Sequence, residues 1–232
     1  MARGDAFDVV GFDADDTLWR SEDHFQAAES MFAELVAPYA PDGVDVLASL
    51  HAIERDNVAI SGYGVKAFAL SMVQAAVTAT VGAVPSAVIG RIVDHAHDML
   101  MEPVELLDGV PETLATIGHT HRLVLITKGD LVHQLRKVRT SGLAHHFEHI
   151  EVVLEKDAET YRSILREWDI DPKRFAFVGN SVRSDVLPII ELGGTGVHVE
   201  YHLTWAHELV HDHDGGFVEL GTIRDLPAWL RS

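Results

Sequence analysis

"VVGFDADDTLW", residues 9–19, decides how the rest of the chain is read. An apolar run ends abruptly at Asp13, and Asp15 and Asp16 follow at once. Carboxylates crowded together repel, and each makes its neighbours harder to ionise. A strand interior would reject such a cluster. Two arrangements accommodate it: a solvated turn, or a site in which something cationic sits among the acids.

Working outward, apolar runs of strand length recur and each is followed by a helical segment. "FDVVGFD" ends at Asp13, "RLVLITKG" gives out at Thr127, "HIEVVL" ends at Leu154, "RFAFVGN" at Asn180 and "GTGVHVE" at Glu200. Between them lie "DLVHQLRKVRTSG", "DAETYRSILREWDI" and "SDVLPIIELGG", which read as helices closed by Gly or Pro. Strands apolar throughout, alternating with helices, predict a Rossmann-like α/β fold: a parallel sheet with helices on both faces. In such sheets ligands bind at the carboxyl ends of the strands.

The segment between the first two strands reads as helix only, with candidates over 23–36, 44–57, 64–80 and 86–101. Residues 20–104 are therefore expected to form an all-helical cap domain, and residues 1–19 with 105–232 the α/β core. Pro111 is placed to begin the helix that returns the chain to the core. The C-terminal "GGFVELGTIRDLPAWL" predicts a short edge strand and a last helix.

Composition narrows the partners. Of 232 residues, 47% are hydrophobic and 23% charged, as in ordinary globular proteins. A formal net charge of −18 argues against a nucleic-acid or anionic-membrane partner. The chain has no cysteine, which excludes a thiolate nucleophile and Cys-ligated zinc. With no apolar segment of signal-peptide type at the N-terminus, the expectation is a cytoplasmic protein. The uncharged stretch 67–90 contains Ser, Thr and Gln and a Gly82/Pro85 break, so it reads as two helices and a turn rather than a membrane span.

At the carboxyl ends of these strands stand Asp13, Asp15, Asp16 and Thr17; Thr127 and Lys128; Lys156; and Asn180, Ser181, Ser184 and Asp185. Acids, a hydroxyl and lysines converging on one cleft can bind a divalent cation and a phosphate together. This order resembles the haloacid dehalogenase-like superfamily of hydrolases. "GFDADDTL" is similar to its first motif, D-x-D-x-T, and "LVLITKG" to its second. "LEKDAETY" matches the third, and "FVGNSVRSD" the fourth, with Asn180 where an acid is usual.

The resemblance implies a phosphatase acting on a small phosphorylated metabolite, with Asp13 as nucleophile and Asp15 as general acid and base. It implies Mg²⁺ held by Asp13, the Asp15 carbonyl, Asp185 and Asn180, the last without charge. Thr127 and Lys156 would bind the phosphoryl group, with Lys128 contributing to the cleft. A phosphomutase keeps the same motifs, whereas a 2-haloacid dehalogenase typically lacks an acid at the Asp15 position. A non-catalytic phosphate-binding protein stays open through Asn180. Asp16 reads as a loop or helix-start acid, Ser181 and Ser184 as helix caps, and Trp19, Trp205, His24 and Phe25 as candidate cleft neighbours.

"WAHELVHDHD" also contains His207-Glu208-x-x-His211, the zinc-protease pattern, but no further G-x-x-H follows. In a chain with fifteen histidines, a chance match is the better reading. His145, His146 and His149 read as a solvated helix end, and His119 and His121 as flanking a strand.

Overall fold

The computed structural model describes residues 6–203 and 216–232, and divides into two units. One comprises residues up to Glu22, Val104–Lys128 and Gln134 onward; the other comprises Asp23–Pro103 and Gly129–His133. The zinc-protease-like pattern at His207, Glu208 and His211, together with Trp205, lies outside the described residues.

The first unit is built on six parallel strands: β1 (Val9–Phe12), β2 (Arg122–Lys128), β3 (His149–Val153), β4 (Phe175–Gly179), β5 (Thr195–Val199) and β6 (Val218–Leu220). Their spatial order is β3-β2-β1-β4-β5-β6. Strand β1 pairs with both β2 and β4, so the order reverses there. That reversal is the topological switch point where open α/β sheets place their ligands.

Alternation along the strands explains the apolar runs of β1, β2 and β4. Val10 and Phe12 pack with Leu123, Leu125, Ala176 and Val178 on one face. Val9 packs with Val124, Ile126, Phe175 and Phe177 on the other. With side chains pointing alternately to opposite faces, both sets must be buried. Gly11 lies between them because a Cβ there would run into the rings of Phe175 and Phe177. The strand thereby delivers Asp13 to the sheet's edge, its N–H donating to the Val178 carbonyl at 2.9 Å.

Helices α5 (Val110–Ile117), α6 (Leu131–Thr140), α7 (Ala158–Glu167), α8 (Leu187–Glu191) and α9 (Leu226–Arg231) follow the connections expected of this sheet. Pro111 does stand in the first turn of α5. Asp157 caps α7, accepting from the Thr160 N–H at 2.8 Å, which sets Lys156 immediately before the helix. The stretch 184–194, expected as one helix, instead begins as a π-helical turn, Val182–Val186, before α8. Likewise His149 lies in β3 and stacks on Trp168, and only His145 and His146 occupy the short turn before it.

The other unit contains α1 (Glu22–Val36, whose first residue belongs with the sheet), α2 (Val46–Ser61), α3 (Val65–Ala79) and α4 (Ser86–Met101). It has its own core, centred on Phe32, Leu50, Phe68, Met72 and Ile92. Asp45 caps α2 through two backbone N–H groups at 3.0 Å. Lys66 pairs with Asp130 at 3.0 Å, tying the short segment 129–133 to these helices. Among the described residues, no helix is long and apolar enough to cross a membrane.

Candidate active site

At the carboxyl ends of β1, β2 and β4 the first unit gathers Asp13, Asp15, Thr127, Lys128, Lys156, Asn180 and Asp185. The centre is Lys156. Its side chain is buried and its ammonium donates to the carboxylates of both Asp13 and Asp185, the latter at 2.7 Å. An ammonium placed at the start of a helix opposes the helix dipole, so these two anions are what hold it there.

Asp185 is buried to 1% exposure. The π-helical turn turns its carboxylate back over the end of β4, where it accepts from the Ser181 N–H at 3.0 Å. Single-turn π insertions recur at functional sites because they re-aim one side chain. Gly179 is required for this approach, since a Cβ there would overlap the Asp185 carboxylate.

Asp13 is under electrostatic conflict. Burial pushes its carboxyl up to about 7, against the attraction of Lys156, and Asp185 and Asp15 push the same way. Lys156 is itself held above the ordinary lysine value: burial opposes its charge, but Asp13 and Asp185 outweigh it. Two carboxylates share one ammonium, leaving an excess negative charge. The Thr17 hydroxyl lies between the Asp13 carboxylate, 3.2 Å away, and the Asn180 amide oxygen, 3.3 Å away.

Asp15 sits differently. One carboxylate oxygen accepts from the Trp19 indole N–H at 2.6 Å and from Lys137 at 2.5 Å; the other accepts from Gln134 at 2.9 Å. Burial pushes this carboxyl up, but the charge of Lys137 and the three hydrogen bonds prevail and hold it below the ordinary aspartate value. Gln134 also reaches the Thr127 hydroxyl oxygen at 3.1 Å and the Lys128 carbonyl at 2.7 Å. Lys128 is half-buried, its ammonium 3.5 Å from the Ser184 hydroxyl.

Asp16 has a structural part. Its backbone is in the left-handed region (φ 61°), and its carboxylate accepts from the N–H groups of Ser21 and Glu22 at the start of α1. Burial, then repulsion from Asp15, raises its carboxyl to about 7. Ser181 does cap the turn that follows it, accepting from the Ser184 N–H at 3.0 Å, whereas Ser184, expected as a cap, lies inside that turn.

Three contributors escaped the sequence reading in these roles: Trp19 as a donor, and Gln134 and Lys137 altogether. Trp19 is one turn from Asp15 and could be suspected, but α6 carries no local sign of its part.

The oxygens of Asp13, Asn180 and Asp185 and the Asp15 carbonyl are hard donors of the kind Mg²⁺ takes. Among the described residues, no group of three His, Cys, Asp or Glu side chains is arranged to hold a metal. The set fits a cation on charge instead, because two buried carboxylates, Asp13 and Asp185, share the single ammonium of Lys156.

Comparison with known proteins agrees with the fold. Residues 7–193 match the family of haloacid dehalogenase-like hydrolases. A haloacid dehalogenase-like family hydrolase from Xanthomonas campestris is 40% identical, the match covering 97% of this chain and 91% of that one, with a TM-score of 0.88. A predicted phosphoglycolate phosphatase from Haemophilus somnus (17% identity, 95% and 96% covered, TM-score 0.62) shares the fold. So does the L-2-haloacid dehalogenase of Xanthobacter autotrophicus (15%, 97% and 98%, TM-score 0.62). None of the curated proteins compared matches the chain. With the family matched over 7–193, and with Asp13, Thr127, Lys156 and Asp185 all at the switch point, the chain belongs to the haloacid dehalogenase-like hydrolases.

Proposed function

We propose that this hydrolase is a Mg²⁺-dependent phosphatase of small phosphate monoesters, working through an aspartyl-phosphate on Asp13. The observation that carries the reading is the second carboxylate, Asp15, fixed by three donors and linked through Gln134 to Thr127. Displacement of a halide needs no proton donor, because halide leaves as a weak base. An alkoxide leaving from phosphorus does need one, and a positioned carboxyl supplies it.

The steps follow from the groups present. An Asp13 oxygen attacks phosphorus, the ester P–O bond breaks, and a proton passes from Asp15 to the departing oxygen. Asp15, now ionised, takes a proton from water as that water's oxygen attacks phosphorus. Inorganic phosphate leaves and the Asp13 carboxylate is restored. The low-lying carboxyl of Asp15 suits the second half as it stands, and the first half requires Asp15 to take up a proton with the substrate. The Thr127 hydroxyl donates to a phosphoryl oxygen, and Lys156 offsets charge on the nucleophile. Asp13, the Asp15 carbonyl, Asn180 and Asp185 would hold Mg²⁺, which when bound supplies positive charge against the phosphoryl oxygens. We assign the cap role, and with it the choice among esters, to the helical unit.

One observation favours a second reading. Lys156 already bridges Asp13 and Asp185, a built-in cation that would serve metal-free attack on a 2-haloacid. The two readings separate in one assay: hydrolysis of p-nitrophenyl phosphate with and without Mg²⁺, beside chloride release from 2-chloropropionate. The phosphatase reading expects Mg²⁺-dependent nitrophenol release that Asp13→Asn abolishes. Chloride release without nitrophenol release would replace it with the dehalogenase.

A further inference from the structure

We propose that Gln134 and Lys137 of α6 are positioning residues that clamp Asp15 in register with Thr127, so that proton delivery and the grip on the phosphoryl group act together. The role in turnover rests on the phosphatase reading; the clamp itself does not.

Positions 134 and 137 are three apart, so both side chains leave the same face of α6. Gln134 is 3% exposed. Its amide nitrogen faces the Lys128 carbonyl, the Asp15 carboxylate and the Thr127 hydroxyl oxygen, three acceptors for two hydrogens. The shortest of these contacts, to the backbone carbonyl, fixes one hydrogen. The other is left to be shared between Asp15 and Thr127, which makes Gln134 the direct link between the two. The opposite orientation of the amide would set its oxygen against two groups that can only accept, the Lys128 carbonyl and the Asp15 carboxylate. The cost of the orientation observed is visible: the Gln134 carbonyl oxygen is buried and finds no donor among the described residues.

Accepting from Gln134 also settles what Thr127 can do. One of its two lone pairs is engaged, and its single proton is left to donate to an incoming phosphoryl oxygen, which can only accept. Lys137 completes the clamp from the other side. Its ammonium and the Trp19 indole take the same Asp15 oxygen while Gln134 takes the second, so the carboxylate cannot rotate without breaking all three contacts. A lysine in the last turn of a helix is ordinarily there to face the carbonyl end. This one is turned onto a carboxylate 122 positions away in the chain, its side chain only 12% exposed.

The test compares Gln134→Met and Lys137→Met, which keep side-chain bulk, with the exposed-site control Lys173→Ala. Each is assayed on p-nitrophenyl phosphate and on phenyl phosphate, a poorer leaving group of similar shape. A misplaced acid costs most where the leaving oxygen most needs a proton. The two variants should therefore lose about 10-fold more kcat/KM on phenyl phosphate than on p-nitrophenyl phosphate, with Lys137→Arg falling between them and the wild type. Equal losses on both esters would reduce α6 to a structural support and overturn the proposal. A second readout needs no turnover: the Trp19 indole N–H cross-peak, assigned with Trp19→Phe in a ¹H–¹⁵N spectrum. It should move in both Met variants and stay in Lys173→Ala; an unmoved peak overturns the clamp. If the wild type hydrolyses neither ester, the phosphatase reading falls and this cross-peak alone decides the clamp.

Discussion

At the scale of single residues, the site is a problem in placing charge on buried side chains. Asp185 reaches Lys156 only because nothing at position 179 stands in its way, and Gly179→Ala tests that dependence. The added methyl would overlap the Asp185 carboxylate, so either the π-helical turn or the end of β4 must shift. Overpacking of this kind costs about 1–3 kcal/mol, and a misplacement near 1 Å at reacting groups costs roughly 100-fold in rate. Thermal denaturation and kcat for p-nitrophenyl phosphate should both register the change. A variant with unaltered kcat would mean that Asp185 acts no closer to the chemistry than its neighbours do. Asp13 and Asp15 show how far environment divides identical side chains. Two positions apart, one is driven upward by burial with a shared ammonium, and the other is held down by an ammonium and two further donors of its own.

At the scale of elements, each helix of the separate helical unit must also solve its own electrostatics, and α1 with α2 does so imperfectly. Burial, then the nearby Glu29, raises Glu54 from 4.5 to about 7, with His51 pulling only weakly the other way. The imidazole is already engaged by Glu29 at 2.9 Å. Because the folded-state value lies above the unfolded one, the stability linked to Glu54 is complete below about 4.5 and is lost as pH rises through about 7. Glu54→Gln removes that loss. Its melting temperature should exceed that of the wild type at pH 8 by roughly 2–4 °C, the equivalent of about 1 kcal/mol after allowance for partial solvent access, and the two should converge near pH 4.5. A gap that persists in acid would point to packing instead. Elements also mark where the sequence could be read. Strands β1, β2 and β4 were legible because burial on both faces forces an unbroken apolar run, and the first polar residue after it falls at the sheet's edge. That rule located Asp13, Thr127 and Asn180. Lys156 and Asp185 were found by their place just beyond such ends. Helix α6 was not legible as part of the site, because "DLVHQLRKVRT" is an ordinary amphipathic pattern and its contacts with Asp15 span 119 and 122 positions. The π-helical turn was hidden too: one extra residue in a turn leaves no trace in a helical periodicity.

At the scale of the whole molecule, 36 acidic against 18 basic side chains load the chain with a net −18, and self-repulsion of that size opposes compaction. Simple salt should therefore raise the melting temperature gradually, since at 0.1 M the screening length falls to about 10 Å. Mg²⁺ offers a sharper test, because specific binding and screening can be separated at matched ionic strength. An ion held by Asp13, Asn180 and Asp185 binds only the folded chain, and at 100 times its dissociation constant adds about 2.7 kcal/mol. For a chain of this size that is a rise on the order of 5–10 °C beyond NaCl. Asp185→Asn should erase the increment specific to Mg²⁺ while leaving the response to NaCl intact, because one lost charge in eighteen hardly alters the field of the whole protein but removes half of the carboxylate pair around Lys156. If Mg²⁺ and NaCl stabilise the wild type equally, the excess charge on Asp13 is met by Lys156 alone, and the metal-free chemistry becomes the better account of the site. If the increment appears and Asp185→Asn keeps it, the ion sits elsewhere on this acidic surface, and the role assigned to the fourth motif is wrong while that of Asp13 stands.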